Sequence, residues 1–400
     1  MTDTRPSPAQ TGNFGPGNAR NTEVYLAGAV MKKKPQIPMR FEELEAAAKA
    51  AMVPEAFDYI AGAAGNEDTK AENSAAFKRW RIVPRHLRGA VQRDLSLSLF
   101  GQKLKFPVLL APIGILELAH PEADLAAARA AAAEDVPMIV SNQASMPVEK
   151  IAEALGGGAF WFQLYWSISN ELTASLAARA EACGAKAIVV TLDTTLLGWR
   201  PRDLRNAYLP FIQGKGIAQY TSDPVFRAML SKPPEEDIIG AAAKFVETFS
   251  NPGLSWGHLD FLRKRTKLPI LLKGVLHPED ARLARKHGMD GIIVSNHGGR
   301  QVDGAIAACD ALPAIAAAVG GKMPILFDSG IRSGPDIFKA IALGASAVLL
   351  GRPYVYGLAL NGADGVREVI RNLLADFDLT MGLAGCRSLS EITQEMLYRA

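Results

Sequence analysis

The chain has 400 residues, of which 48% are hydrophobic and 21% are charged, with a formal net charge of +3. This is the composition of a soluble globular protein, and the small net charge gives no argument for nucleic acid or an acidic membrane as a partner. The three cysteines are widely spaced, without a metal or disulfide pattern, which fits a reducing compartment. The first residues lack the apolar stretch of a secretory signal, and no apolar run approaches a membrane span. We therefore expect a cytoplasmic protein.

Residues 1 to about 38 are rich in Gly, Asn, Pro and Thr and have little periodicity, which predicts an extended N-terminal arm. Residues 39–400 are predicted to form one domain. Apolar residues recur at helical spacing over residues 40–80, with a break at Pro54. The second of these predicted helices carries Tyr59 and ends at the glycines of residues 62–65.

From residue 107 onward one unit repeats: a short apolar run, a polar or glycine-rich tip, and an alanine-rich helical stretch. Alternating strands and helices imply parallel strands with right-handed crossovers. Eight strands are the number that closes a (β/α)8, or TIM, barrel. The eight apolar runs are Pro107–Ala111, Pro137–Val140, Phe160–Leu164, Ala187–Thr191, Pro269–Leu272, Gly291–Val294, Pro324–Phe327 and Ala347–Leu350.

One connection departs from this repeat, because the segment between Thr191 and Pro269 is far longer than one helix requires. A long loop at this end of a strand lies over the C-terminal face of a barrel, so residues of about 200–255 are predicted as a lid inserted after strand 4. A mobile surface insertion is the alternative. Residues 388–400 are predicted to form a last amphipathic helix.

Polar side chains follow nearly every predicted strand, and in such barrels the chemistry lies at these C-terminal strand ends. The sixth tip, Ser295–Gln301, is the most informative. His297 can exchange a proton near neutral pH, and Arg300 is a permanent planar cation suited to gripping a carboxylate. A strand-ending turn with a surface His and Arg is the structural alternative.

The last two tips resemble a phosphate site, because Gly330, Arg332, Gly351 and Arg352 supply close backbone approach and positive charge. A phosphorylated substrate is one candidate occupant. The other tips carry hydrogen-bonding groups spread round the rim, which suit a broad planar heteroaromatic ring better than a small sugar; they are Ser141, Gln163, Thr191 and Lys273. No Gly-x-Gly-x-x-Gly lies between a strand and a helix, and no His/Asp/Glu cluster has metal-ligand spacing.

Taken together and in order, these motifs resemble those of the FMN-dependent α-hydroxy acid oxidases and dehydrogenases, over roughly residues 40 to 400. Within that family, Leu197–Leu204, the long insertion and Gly114 look most like lactate 2-monooxygenase, whereas Gln143 departs from the glycolate oxidase branch, which has a Trp there. The resemblance rests on Phe57–Tyr59, Ala111-Pro112, Ala119–Glu122, Phe162–Tyr165, Thr191–Thr194, Leu272–Gly274, Ser295–Gln301, Asp328–Arg332 and Gly351–Pro353.

The resemblance implies a role for each matching side chain. His297 is the active-site base and Asp193 pairs with it. Lys273 lies beside the N1–C2 carbonyl end of the flavin. The substrate carboxylate and hydroxyl are held by Arg200, Arg300, Tyr59 and Tyr165.

The resemblance also implies the surroundings of the cofactor. Ile113 and Gly114 run along the N5 side of the ring, where the small Gly114 leaves space. The other expected cofactor-binding positions are Pro112, Ser141, Gln163, Thr191, Ser295, Asp328, Ser329, Gly330, Arg332, Gly351 and Arg352.

The implied reaction is the FMN-dependent oxidation of a small L-2-hydroxy acid, with L-lactate the favoured substrate and O2 the acceptor. Oxidative decarboxylation to acetate, CO2 and water is the favoured outcome, and release of pyruvate and H2O2 is the alternative. A catalytically silent barrel that binds a phosphorylated ligand is the remote alternative. The family leads us to expect a homotetramer, and no feature indicates a metal, nucleic acid or membrane partner.

Overall fold

The computed structural model describes residues 15–400, so the first 14 residues of the predicted arm lie outside the described residues. Eight parallel strands form a closed barrel in which neighbours in sequence are neighbours in space, and Val348 pairs with Val108 to close it. This confirms the predicted (β/α)8 fold. The strands are β1 Val108–Leu110, β2 Met138–Val140, β3 Phe160–Leu164, β4 Ile188–Thr191, β5 Ile270–Val275, β6 Gly291–Val294, β7 Ile325–Phe327 and β8 Ala347–Leu350.

The barrel interior is a packed apolar core, which explains why the strands are continuous apolar runs and do not alternate. Its inward-facing side chains include Ile139, Trp161 and Leu326. A hairpin of Leu97–Leu99 and Gln102–Leu104 covers the N-terminal end, where the ring of Phe100 lies 5.6 Å from that of Trp161. The interior and one end are thus filled, which leaves the C-terminal end of the strands for a site.

Four helices precede the barrel, and the others surround it or cross its C-terminal face. No helix among residues 15–400 is long and apolar enough to cross a membrane. The helices are α1 Pro16–Met31, α2 Phe41–Ala51, α3 Pro54–Ala61, α4 Asp68–Lys78, α5 Ala123–Ala133, α6 Val148–Leu155, α7 Asn170–Ala182, α8 Pro201–Arg205, α9 Ala218–Thr221, α10 Pro224–Ala228, α11 Ile238–Thr248, α12 Trp256–Arg263, α13 Pro278–Lys286, α14 Ala308–Val319, α15 Gly334–Ala342 and α16 Arg352–Ala384.

The prediction of an extended arm is wrong for the described part of residues 1–38, because Pro16–Met31 forms the helix α1. This helix packs against α16. Arg20 pairs with Glu368, and the Gly17 N–H donates to the Asp378 carboxylate at 2.9 Å. Partners about 350 residues away stabilise a helix that its own composition does not favour.

The predicted last helix over residues 388–400 is also wrong. The chain makes short 3-10 turns at Leu389–Glu391 and Gln394–Met396, and then a strand, Leu397–Arg399, which pairs antiparallel with Trp80–Ile82. The strand partner lies more than 300 residues earlier in the chain, so local periodicity could not reveal it.

The long connection after β4 packs against the C-terminal rim of the barrel and contributes Phe211 and Phe249 to the cavity there. The stretch around residues 219 and 220 is bound to the rim by buried polar contacts: the Tyr220 hydroxyl donates to Asn142 Oδ1 at 3.0 Å, and Gln219 Nε2 donates to the Met146 carbonyl at 3.0 Å. Both of these insertion side chains are fully buried. This part of the insertion is therefore integrated into the barrel rim and does not project from it.

Candidate active site

A cavity opens at the C-terminal end of the barrel, with an empty volume of about 1100 Å³ including its mouth. Four expected site residues, Gln163, Thr191, Asp193 and Ser295, lie behind its wall and support the residues that line it. The expected residues that line it are Tyr59, Pro112, Ile113, Gly114, Ser141, Tyr165, Arg200, Lys273, His297, Arg300, Asp328, Ser329, Gly330, Arg332, Gly351 and Arg352.

His297 follows β6 in a backbone conformation that few non-glycine residues adopt, with φ of 58°. Two serine hydroxyls support this turn. Ser295 Oγ accepts from the His297 N–H at 3.0 Å, and Ser329 Oγ accepts from the Gly298 N–H at 3.0 Å. The imidazole Nδ1 lies 2.7 Å from Asp193 Oδ1, which leaves Nε2 as the ring nitrogen without a partner among residues 15–400.

The electrostatics of this pair favour a neutral imidazole beside a charged carboxylate. Burial lowers the pKa of His297, and the charge of Asp193 opposes this only in part. Burial raises the pKa of Asp193, but the charges of His297 and Lys273 and the hydrogen bonds to it hold that pKa below its ordinary value. A neutral ring that donates Nδ1–H to Asp193 presents the Nε2 lone pair, which is the form of a general base.

Lys273, on β5, places a positive charge on the same side of the cavity. Its Nζ donates to Ser295 Oγ at 3.0 Å and lies 3.2 Å from Asp328 Oδ2. Burial lowers the pKa of Lys273, but the charges of Asp328 and Asp193 raise it above its ordinary value. The side chain is therefore a fixed ammonium in a buried position.

The two arginines form the opposite, cationic part of the site. Arg300 Nη1 donates to the carbonyls of Tyr59 at 2.6 Å and Gly62 at 2.9 Å, and Arg200 Nε donates to the Arg300 carbonyl at 3.1 Å. Both guanidiniums donate to carbonyl oxygens, and neither has a carboxylate within 4.0 Å in the part of the chain that the structure describes. Burial and then the charge of Arg300 lower the pKa of Arg200 to about 10. Two neighbouring cations that no carboxylate contacts directly constitute a site for an anion, although the charge of Asp203 acts on both from further away.

Both predicted tyrosines line the cavity. The Tyr59 ring lies 5.0 Å from the Arg300 guanidinium carbon, in a cation–π contact that fixes both groups. Burial, and then the charge of Asp193, raise the pKa of Tyr165 to about 12. Tyr165 therefore stays a neutral phenol that can donate or accept a hydrogen bond.

The deeper cavity wall suits a planar ring with polar edges and a phosphate. Gln163 Nε2, Thr191 Oγ1 and Arg332 Nε are buried and have no hydrogen-bond partner among residues 15–400. Of these residues Arg332 lines the cavity and the other two lie behind its wall, and unsatisfied buried polar atoms are costly unless a ligand completes them. The N-terminus of α16, at Arg352, supplies positive helix polarity for a phosphate. These residues fit FMN.

The Arg352 side chain is engaged with the protein. Its Nε and Nη2 donate to the carbonyls of Ile60 at 3.0 Å and Gly62 at 2.8 Å, and its Nη1 donates to the Gly298 carbonyl at 3.1 Å. It therefore joins the end of α3 to the turn that carries His297. Its positive charge remains close to the expected phosphate.

Gly114 does not leave open space in the direction of a side chain, contrary to the expectation from sequence. A Cβ built there would lie 2.9 Å from the Gln143 Cβ and 3.0 Å from the Gln143 carbonyl oxygen. The glycine lets the loop after β1 pass against the loop after β2. Gly114 therefore influences the shape of the cavity through the position of Gln143.

Several residues of the site were missed from the sequence. Thr194 lies 3.2 Å from both Asp193 Oδ1 and His297 Nδ1, and Gln301 donates to the Asp193 carbonyl at 2.7 Å while it accepts from Arg200. Thr194 and Gln301 belong to motifs that the sequence analysis recognised. Their positions next to Asp193 and Arg300 could have indicated that they belong to the site. The insertion adds apolar lining, which no local pattern indicated: Leu197, Phe211 and Phe249.

Comparisons with known proteins agree with this geometry. A family model described as FMN-dependent dehydrogenase matches residues 48–399. The FMN-dependent α-hydroxy acid dehydrogenase qulF of Penicillium citrinum is 44% identical over 390 residues, which cover 97% of this chain and 96% of that protein. An L-lactate oxidase of Lysinibacillus sphaericus is 46% identical over 352 residues, which cover 88% of this chain and 90% of the relative. The crystal structure of a mandelate oxidase superposes with a TM-score of 0.80 at 38% identity, covering 90% of this chain and 98% of that one.

The fold, the site and these matches define a barrel enzyme that uses FMN to oxidise an α-hydroxy acid. The chain belongs to the FMN-dependent dehydrogenase family. Among residues 15–400 no group of three or more His, Cys, Asp or Glu side chains is placed to hold a metal ion.

Proposed function

We propose that the protein oxidises a small L-2-hydroxy acid, in the first instance L-lactate, with O2 as acceptor, and that it releases acetate, CO2 and water. The observation that carries the substrate class is the pair of guanidiniums of buried Arg200 and half-buried Arg300, which no carboxylate contacts, beside a neutral imidazole. A ligand that matches this site carries an anionic group for the arginines and, on the neighbouring atom, a group that can donate a proton to His297. A 2-hydroxy carboxylate has both groups.

In this proposal the substrate carboxylate lies between Arg200 and Arg300, with the hydroxyl groups of Tyr59 and Tyr165 completing its contacts. His297 accepts the substrate proton at Nε2, and Asp193, 2.7 Å from Nδ1, stabilises the imidazolium that results. Bound FMN supplies the two-electron acceptor for the hydroxy acid and passes the electrons to O2.

The residues that would hold FMN divide into two groups. Ser141, Gln163 and Thr191 would bond the polar edge of the ring, with the charge of Lys273 nearby; this ammonium would stabilise negative charge there. The remaining proposed contacts lie along the ring and at the phosphate: Pro112, Ile113, Gly114, Ser295, Asp328, Ser329, Gly330, Arg332, Gly351 and Arg352.

The products depend on whether pyruvate leaves the pocket before H2O2 reacts with it. L-lactate and O2 give pyruvate and H2O2, and if both stay in one pocket, H2O2 attacks the keto carbon and yields acetate, CO2 and water. The insertion supports retention because it supplies Leu197, Phe211 and Phe249 to the cavity lining. Release of pyruvate and H2O2 is the second candidate outcome, and the relatives named L-lactate oxidase favour it.

Two measurements test these statements separately. Anaerobic addition of L-lactate should bleach the flavin spectrum, and a flavin that no L-2-hydroxy acid bleaches would refute the proposed substrate class. Aerobic turnover of L-lactate without catalase should give acetate and CO2. Stoichiometric pyruvate and H2O2 would overturn the monooxygenase outcome and leave the oxidation itself intact. A homotetramer and a cytoplasmic location remain predictions from the sequence, and size-exclusion chromatography with light scattering tests the first.

A further inference from the structure

One buried hydroxyl, that of Thr194, contacts both members of the His297–Asp193 pair. Its Oγ1 lies 3.2 Å from Asp193 Oδ1 and 3.2 Å from His297 Nδ1, which are themselves 2.7 Å apart. The residue is only 5% exposed. Three polar atoms thus form a closed triangle beside the imidazole, and Thr194 and His297 both line the cavity.

The protons in this triangle can be assigned. A neutral His297 that acts as a base at Nε2 carries its proton on Nδ1 and donates it to Asp193 Oδ1. The hydroxyl of Thr194 then has Asp193 Oδ1 as its acceptor, because Nδ1 has no free lone pair. Asp193 Oδ1 accepts two hydrogen bonds, while Asp193 Oδ2 is buried and has no partner among residues 15–400.

Two consequences follow for the carboxylate. Its orientation depends on the two donors that share Oδ1, so loss of one donor leaves His297 alone to hold it. The Thr194 hydrogen bond also withdraws negative charge from the oxygen that stabilises the imidazolium. Without that bond, Asp193 would stabilise a protonated His297 more strongly, and the ring would hold its proton to a higher pH.

We propose that Thr194 is a positioning residue that fixes the Asp193 carboxylate and keeps the proton affinity of His297 low enough for it to act as a base. The inference rests on the proposed function, in which His297 Nε2 accepts the substrate proton. Thr194 also lines the cavity, but the role proposed for it operates through Asp193.

The test is the pH dependence of kcat/KM for flavin reduction by L-lactate in the FMN-loaded enzyme and three variants. In Thr194→Val the plateau should fall roughly tenfold, the effect of one lost hydrogen bond to a charged group, and the acidic limb should move to higher pH. Thr194→Ser keeps the hydroxyl and should restore both towards wild type. Thr194→Ala should show the same two changes as Thr194→Val. It replaces Thr194→Val as the test if the larger valine side chain prevents folding.

The matched control is Thr266→Val. Thr266 is also buried and its hydroxyl also donates to a carboxylate, that of Glu181 at 2.7 Å, but it precedes β5 at the opposite end of the barrel. This variant should keep the wild-type profile. Thr194→Val added to Asp193→Asn should cause no further shift of the acidic limb, because the carboxylate through which it acts is already gone.

An acidic limb in Thr194→Val and Thr194→Ala that coincides with wild type would overturn the inference, whether or not the plateau falls. A fall in the plateau alone would indicate a merely structural side chain. Failure of wild-type flavin to be reduced by any L-2-hydroxy acid would instead refute the proposed function, so the two failures are distinguishable.

Discussion

The two ends of the cavity differ in how their charges are balanced. At the end that holds His297, Asp193 and Lys273, Asp193 is hydrogen-bonded to His297 and lies in the field of Lys273, and Lys273 pairs with Asp328. At the other end Arg200 and Arg300 lie together, and no carboxylate among residues 15–400 contacts either guanidinium, although the charge of Asp203 acts on both. The first end is therefore complete before a ligand enters, whereas the second is completed by an anion. Substitutions at the first should reduce the rate of the chemical step, and substitutions at the second should weaken binding.

The largest effect should come from the base. His297→Gln should keep FMN bound, because many other strand tips contact the cofactor, but should slow flavin reduction by roughly 10²–10⁴-fold, since no other described side chain is placed to take the proton. Stopped-flow reduction under anaerobic conditions measures this rate. More than about a tenth of the wild-type rate in the variant would remove His297 from this role.

At the cationic end, Arg300→Lys should lower kcat/KM by about 10²-fold although the charge is kept. A point ammonium cannot reproduce a bidentate fork, nor the bonds of Arg300 to the carbonyls of Tyr59 and Gly62. The loss should fall mainly on KM. Arg205→Lys is the matched control, because Arg205 is largely exposed and pairs with Asp58 at 3.1 Å outside the cavity. Equal behaviour of the two variants would show that Arg300 is only a general source of charge.

A pH profile should separate the two ends within one protein. Activity requires neutral His297, whose pKa is lowered by burial, so kcat/KM should fall only as the pH drops below the ordinary histidine value of about 6.5. Carboxylate binding requires charged Arg200, whose pKa is lowered to about 10, so KM should rise as the pH approaches that value. An acidic limb above the ordinary histidine value would contradict the neutral resting imidazole.

The smallest effect should come from Gly114, which belongs to neither end. Gly114→Ala should displace Gln143, which a Cβ would approach to 2.9 Å, and overpacking of this kind costs roughly 1–3 kcal/mol of stability. Flavin reduction should change little, while the ratio of pyruvate and H2O2 to acetate should rise a few-fold. Thermal unfolding and product analysis measure the two effects. An unchanged product ratio would show that this wall has no part in retaining pyruvate.

The barrel and most of its strand tips could be predicted because they depend on local patterns. A parallel strand buried on both faces is a continuous apolar run, and closure of eight such strands brings their polar C-terminal tips to one face. Tyr165, Lys273 and Arg300 are far apart in sequence but meet at the cavity for this reason. The resemblance to a known family added roles that no spacing rule could supply.

Other features were decided by contacts between distant segments. The helix α1 and the strand Leu397–Arg399 are stabilised by partners hundreds of residues away, so composition and periodicity predicted them wrongly. The fit of Gly114 against Gln143 and the contact of Thr194 with His297 likewise depend on how closely two loops approach. The sequence by itself thus determined the elements, the barrel and the chemical types at its rim. Only the tertiary structure decided which of those groups satisfy one another and which are left for a ligand, because hydrogen bonds and charge pairing depend on distances that packing alone sets.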